Sequence, residues 1–177
     1  MAKAAPSPRQ TAQWLLRHPA EYGRRLGYTL LTDNLHGLWM RRIIWGVNDM
    51  TLQAHRGAYK TSCLAVALAV IMQIHRESNI IFLRKTDNDV AEVLQSVRSL
   101  LLHPLTQAMC QALTARPLEL YKATNKQITT SLYSRTGGAP QLLGIGLGGS
   151  LTGKHADIII TDDCQDRLSP GRLPAWW

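Results

Sequence analysis

His55-Arg56-Gly57-Ala58-Tyr59-Lys60-Thr61-Ser62 runs directly into the apolar stretch Cys63-Leu64-Ala65-Val66-Ala67-Leu68-Ala69-Val70-Ile71-Met72. A glycine-bearing loop that turns into a helix beginning Lys-Thr is the chemistry of a phosphate cradle. Backbone N–H groups at the helix start face the anion, the lysine adds a point charge, and the hydroxyl ligates Mg²⁺. In that reading Lys60 reaches the β- and γ-phosphates, Thr61 holds the metal, Gly57 admits the anion closely and Arg56 adds a second cation; Ala58, Tyr59 and Ser62 complete the loop. Measured against the pattern G-x-x-x-x-G-K-[ST], Tyr59 stands where the glycine before the lysine belongs. Taken alone, a Lys-Thr that opens a helix is equally at home on an ordinary surface helix.

The second half of the pattern lies far downstream. Ile158-Ile159-Ile160-Thr161 reads as a buried strand, and Asp162-Asp163 follows at its C-terminal end, where ligands bind in parallel sheets. The first carboxylate suits Mg²⁺, and the second suits orientation or activation of an attacking water. An Asp at a strand-end turn also satisfies backbone donors without any catalytic role, so loop and acidic pair together carry the argument.

Between them the hydropathy pattern alternates. Met50 to Ala54 is a candidate strand before the loop. A helix apolar nearly all round, Lys60 to about His75, fits burial against a parallel sheet. Asn79 to Leu83 is β-branched and aromatic enough for a strand, and Thr86 caps a helix with an acidic first turn. Val90, Val93, Leu94, Val97, Leu100 and Leu101 recur at helical spacing, and Pro104 opens a further helix to about Ala115. Leu118 to Ala123 and Gln127 to Ser134 read as strands. A Gly-rich stretch, Gly137 to Gly153, leads into the strand Ala156 to Thr161. This βαβ rhythm predicts an α/β domain with a mainly parallel sheet flanked by helices, and the loop paired with the distant acids points within it to a P-loop NTPase. Residues 1–40 read as a helical lead-in and 41–166 as a partial ATPase domain, with 167–177 an irregular tail.

Bulk properties narrow the partners. The chain has 177 residues, 45% of them hydrophobic, and a net charge of +8, which suits one globular core and an anionic partner. Three scattered cysteines, Cys63, Cys110 and Cys164, form no zinc pattern and read as reduced thiols. The longest apolar stretch, ten residues, is about half a bilayer span, so no membrane segment is expected. Gly144-Ile145-Gly146-Leu147-Gly148-Gly149 and Gly148 to Lys154 imitate nucleotide loops, but neither opens a helix. His55 and His155 read as packing or surface residues, and Trp39 and Trp45 as core. Tyr28 to Asp33 is a candidate for an adenine-contacting segment.

Arg56-Gly57-Ala58-Tyr59-Lys60-Thr61 resembles the deviant phosphate loop of phage terminase large subunits, the ATPases that pump DNA into viral capsids. Leu35-His36-Gly37-Leu38-Trp39 looks like their lead-in, and Gly149 to Asp157 running into Ile158 to Asp163 looks like their approach to the acidic pair. The resemblance covers roughly residues 25–166. It implies ATP and Mg²⁺ as cofactors, with Lys60 and Thr61 on phosphate and metal, Arg56 at the γ-phosphate, Asp162 as the metal-binding acid and Asp163 where many members carry Glu. It further implies double-stranded DNA, a portal and a small terminase subunit as partners, homo-oligomerisation in the intact motor, and the cytoplasm of a bacterial host.

Only 14 residues follow Asp163, among them Pro170, Gly171, Pro174 and Trp176-Trp177. The family's later strands and nuclease domain have no counterpart there, so a truncated gene from a prophage remnant with an out-of-frame tail is the expectation. Such a fragment is expected to hydrolyse ATP weakly or not at all. A helicase-like ATPase is the competing reading within this chemistry, and a non-catalytic nucleic-acid-binding fragment the one outside it.

Overall fold

The computed structural model describes residues 6–46 and 49–164. Helices α1 (Pro8–Arg17) and α2 (Pro19–Arg25) are followed by a π-helical turn, Asp33–Gly37, that continues into α3 (Leu38–Trp45). Then come α4 (Lys60–Ile74), β1 (Ile80–Arg84), α5 (Asp87–Leu102), α6 (Pro104–Thr114) and strands β2 (Leu120–Ala123), β3 (Gln127–Thr130), β4 (Leu142–Gly146) and β5 (Ile158–Thr161). Local chemistry sets most of the helix starts. The Ser7 hydroxyl accepts from the Gln10 N–H in a capping box, and the Thr86 hydroxyl accepts from the Asp89 N–H at the start of α5. Pro8, Pro19 and Pro104 occupy first turns, where their missing N–H is no loss.

The five strands lie in the order β2-β3-β4-β1-β5. β1 is parallel to both β4 and β5, whereas β2-β3-β4 is antiparallel. The architecture is α/β, but the sheet is mixed rather than mainly parallel. Thr124 to Lys126 is too short for a crossover, so β2 and β3 close as a hairpin, and that hairpin extends β4 from its antiparallel side.

Two further expectations fail here. Met50 to Ala54 forms no strand: it holds one β-branched residue, Thr51, and joins no ladder among the described residues. The sequence pattern places no strand within the Gly-rich stretch, only the approach to the last one, yet the stretch contains β4. Gly144 takes part because a Cβ there would stand 2.3 Å from Val90 and 3.2 Å from Leu94, so glycine lets α5 press onto the strand.

One main core joins all six helices to the Ile80/Phe82 face of the sheet. It includes Leu15 and Tyr22, so the helical lead-in packs into the same core as β1. α4 is buried along nearly its whole length because helices enclose it, with α3 and α5 its main neighbours. The other sheet face carries a small cluster of Ile81, Leu83 and Ile145, against which Leu143, Ala156 and Cys164 pack. The segment between β4 and β5 therefore reaches across β1 without a helix.

Buried polar groups tie the layers together. The fully buried Gln73 donates to the Tyr22 hydroxyl at 3.2 Å and accepts from the Cys110 thiol at 3.4 Å, and Tyr22 meets Thr106 at 2.6 Å. Gln141 accepts from the Thr130 hydroxyl at 2.8 Å and donates to the Met72 carbonyl at 2.8 Å, locking the hairpin to the end of α4. No helix among the described residues is long and apolar enough to cross a membrane.

Candidate functional site

Parallel strands β1 and β5 end side by side, with Leu83 opposite Thr161. Their next residues, Arg84 and Asp162, therefore emerge together at the C-terminal edge of the sheet, where parallel sheets gather ligand-binding groups. α4 begins beside that edge. The Thr61 hydroxyl donates to Asp162 Oδ2 at 3.4 Å, so the sequence-predicted loop and acidic pair meet. Backbone anchors the carboxylate from below, with the Asp162 N–H donating to the Leu83 carbonyl at 3.0 Å.

The loop itself is held by two local contacts. Ala58 N–H donates to the His55 carbonyl at 3.3 Å, and Lys60 Nζ reaches back to the Ala54 carbonyl at 3.1 Å, closing the loop on its entry. Gly57 has φ +84°, a conformation that suits glycine. Tyr59 has φ +52°, the left-handed conformation that a glycine before the lysine would take without strain. Its ring stands edge-on to His36 at 6.1 Å, and His36 in turn packs edge-on against Trp39 at 5.3 Å. The π-turn thus braces the loop through aromatic contacts.

No side chain caps the N-terminus of α4. Its first-turn amides consequently point toward an open cleft of about 590 Å³, lined by Ala54, Arg56, Gly57, Ala58, Tyr59, Lys60, Thr61, Ser62 and Asp163. Every sequence-predicted loop residue borders this cleft, and Asp163 closes its far side. A smaller cavity of about 180 Å³ adjoins it, where Thr61 and Ser62 meet Tyr28, Arg84, Glu92 and Ser96. Tyr28, from the candidate adenine segment, therefore reaches the back of Thr61.

Arg84 was not singled out by the sequence, although it ends a strand at the same edge as Asp162. One guanidinium nitrogen lies 3.4 Å from Asp162 Oδ2 and 3.9 Å from Asp163 Oδ2. Its side chain is 13% exposed, against 14% for Asp162 and 60% for Asp163. Burial lifts the Asp162 carboxyl above its ordinary range; Arg84 opposes the shift, and the neighbouring Asp163 adds to it.

Mg²⁺ prefers hard oxygen ligands and keeps part of its shell for water and phosphate. One hydroxyl and one desolvated carboxylate, Thr61 and Asp162, with Asp163 beside them, fit that demand. No group of three or more His, Cys, Asp or Glu gathers among the described residues. Cys164 is a free thiol 3.6 Å from the Leu83 carbonyl, and Cys63 and Cys110 are free and buried.

Other candidates lie apart. His55 is exposed and bonds the adjacent Arg56 carbonyl, while the His155 carbonyl accepts from Asn79 at the opposite end of β5. Trp39 is half-buried, but Trp45, expected in the core, is 54% exposed at the end of α3. Residues 150–157 form loop and turn ahead of β5 and open no helix. The tail expected at 167–177 lies outside the described residues. No family model, curated protein or solved structure matches this chain.

Proposed function

We propose that the chain is a nucleoside-triphosphate-binding unit of the P-loop type, the ATPase portion of a terminase large subunit that couples ATP hydrolysis to packaging of double-stranded DNA. The observation that carries this reading is the 3.4 Å approach of Thr61 to Asp162 beside a cleft lined by residues 56–62 and Asp163. Uncapped α4 amides and Lys60 hold the β- and γ-phosphates, and Arg56 supplies further positive charge at the mouth. Thr61 and Asp162 ligate Mg²⁺, which neutralises developing phosphate charge when bound. Asp163, the exposed member of the pair, orients the attacking water.

DNA-packaging identity is supported by the sequence resemblance over residues 25–166 and by the net charge of +8, which suits a polyanion bound without sequence preference. In that setting the portal, a small terminase subunit and further copies of the chain are the partners, in the cytoplasm of a bacterial host. Turnover by the chain alone is weak, because phosphoryl transfer in such motors draws on groups supplied by a neighbour. Single-turnover hydrolysis of ATP, measured with and without double-stranded DNA, tests the reading. A slow, Mg²⁺-dependent rate that Lys60→Ala abolishes supports it, and a rate indifferent to Lys60→Ala contradicts it.

A further inference from the structure

Arg84 lies against the two carboxylates that would hold the metal. Its guanidinium bridges Asp162 and Asp163 at 3.4 and 3.9 Å, longer than the roughly 2.8 Å of a tight Arg–carboxylate fork, so it sits between the two acids rather than clasping either. Thr61, the proposed metal hydroxyl, bonds the same Asp162 Oδ2 that faces Arg84. The Arg84 Nε is buried with no hydrogen-bond partner among the described residues, at the wall of the small cavity behind Thr61. Such an arrangement offsets one of the two carboxylate charges, and apart from a 3.5 Å bond from Nη1 to the Asp89 carbonyl it leaves the guanidinium incompletely satisfied. Lys60, another cation near the site, bonds the Ala54 carbonyl instead.

We infer that Arg84 is a resident counter-cation that occupies the metal seat of Asp162 and Asp163, so that free divalent metal is excluded and metal enters only together with nucleotide. The inference rests on the reading of Thr61 and Asp162 as metal ligands, but not on hydrolysis. Two cations cannot share one seat: Arg84 must yield before Asp162 can ligate a metal. A nucleotide brings phosphate oxygens that can take over the displaced guanidinium, whereas a bare ion brings none.

Mn²⁺ alone, titrated into the full chain without nucleotide, tests this through paramagnetic broadening of backbone amide signals. In the wild-type chain, selective broadening at Thr61 and Asp162 at low Mn²⁺ overturns the inference. Arg84→Gln is expected to bind Mn²⁺ about tenfold more tightly, with broadening centred on those two residues. Lys60→Gln removes the same charge from the same cleft but not from the carboxylates, and is expected to gain much less. Equal gains in the two variants, or none in Arg84→Gln, overturn the inference. Should Arg84→Gln fail to fold, Arg84→Lys serves: a shorter ammonium cannot bridge both acids, so a smaller gain is expected and its absence contradicts the proposal. Adding Asp162→Asn to either variant is expected to erase the gain. Nucleotide affinity, measured separately, reports on the functional reading independently of these metal-only outcomes.

Discussion

Thr61 and Asp162 lie 101 residues apart in the chain and within 3.4 Å in space, hydroxyl to carboxylate. Two separate facts of the fold bring them together. Parallel pairing of β5 with β1 puts Asp162 at the sheet's C-terminal edge, and enclosure of α4 by its helical neighbours puts the start of that helix at the same edge. Thr61→Val keeps the shape and removes the hydroxyl. Its effect should be confined to metal: ATP affinity is expected to fall about tenfold in the presence of Mg²⁺ and to stay unchanged in EDTA. Calorimetric titration under both conditions checks this, and an equal loss in each would place Thr61 on phosphate instead.

Tyr59 occupies a backbone conformation that costs an L-residue about 1–2 kcal/mol. Tyr59→Gly removes that strain but also the ring contact with His36 and part of the chain's stiffness, so stability should change by less than about 1 kcal/mol. Tyr59→Val, β-branched at a positive φ, should lose about 2 kcal/mol. Urea unfolding of the two variants separates them; a Gly variant less stable than the Val variant would show that the aromatic brace, and not the backbone, sets the loop.

Gln73 is the hub through which α4 holds Tyr22 of α2 and Cys110 of α6. Replacement by Leu strands the Cys110 thiol in the core and leaves the Tyr22 hydroxyl with Thr106 as its remaining partner. A loss of about 1–3 kcal/mol is expected in urea unfolding. If Gln73→Leu proves neutral, the network contributes nothing net and the packing around it carries the helices.

Alkaline pH should destabilise the fold through three buried groups. Burial pushes the Tyr22 hydroxyl from 10.0 to about 12, and the Cys63 and Cys110 thiols from 9.0 to about 12. Between the unfolded and folded values the native state keeps protons that the unfolded chain releases, so stability is fully present below pH 9 and falls as pH rises toward about 12. Denaturant midpoints measured from pH 8 upward check the sign. The double variant Cys63→Ala, Cys110→Ala should show a shallower decline, whatever its stability at pH 8.

The helices from Lys60 onward, the strand after Asn79 and the strand of three isoleucines were legible because hydrophobic period and caps act locally. β4 was not. Its two glycines, Gly144 and Gly146, read as part of a false nucleotide fingerprint, and they serve instead to let α5 and the start of that helix, near Thr86 and Asp87, approach the strand closely. Met50 to Ala54 misled in the other direction, since a strand is defined by its partners and this segment has none in the described sheet. At the site, residue types at fixed offsets pointed to Lys60, Thr61 and Asp162, and the fold brings the last two together. Arg84 stayed hidden because its role comes from strand adjacency: nothing in its own neighbourhood of the sequence says that β1 lies beside β5. The brace of His36 on Tyr59 is likewise a tertiary contact between segments whose spacing carries no signal.

The most direct test is equilibrium binding of Mg²⁺-ATP to the full chain, to Lys60→Ala and to Asp162→Asn, with circular dichroism confirming that each is folded. Saturable binding by the wild-type chain, lost or weakened at least about tenfold in both variants, is the expected result. Equal affinity in all three chains would contradict the assignment of a nucleotide site to this cleft.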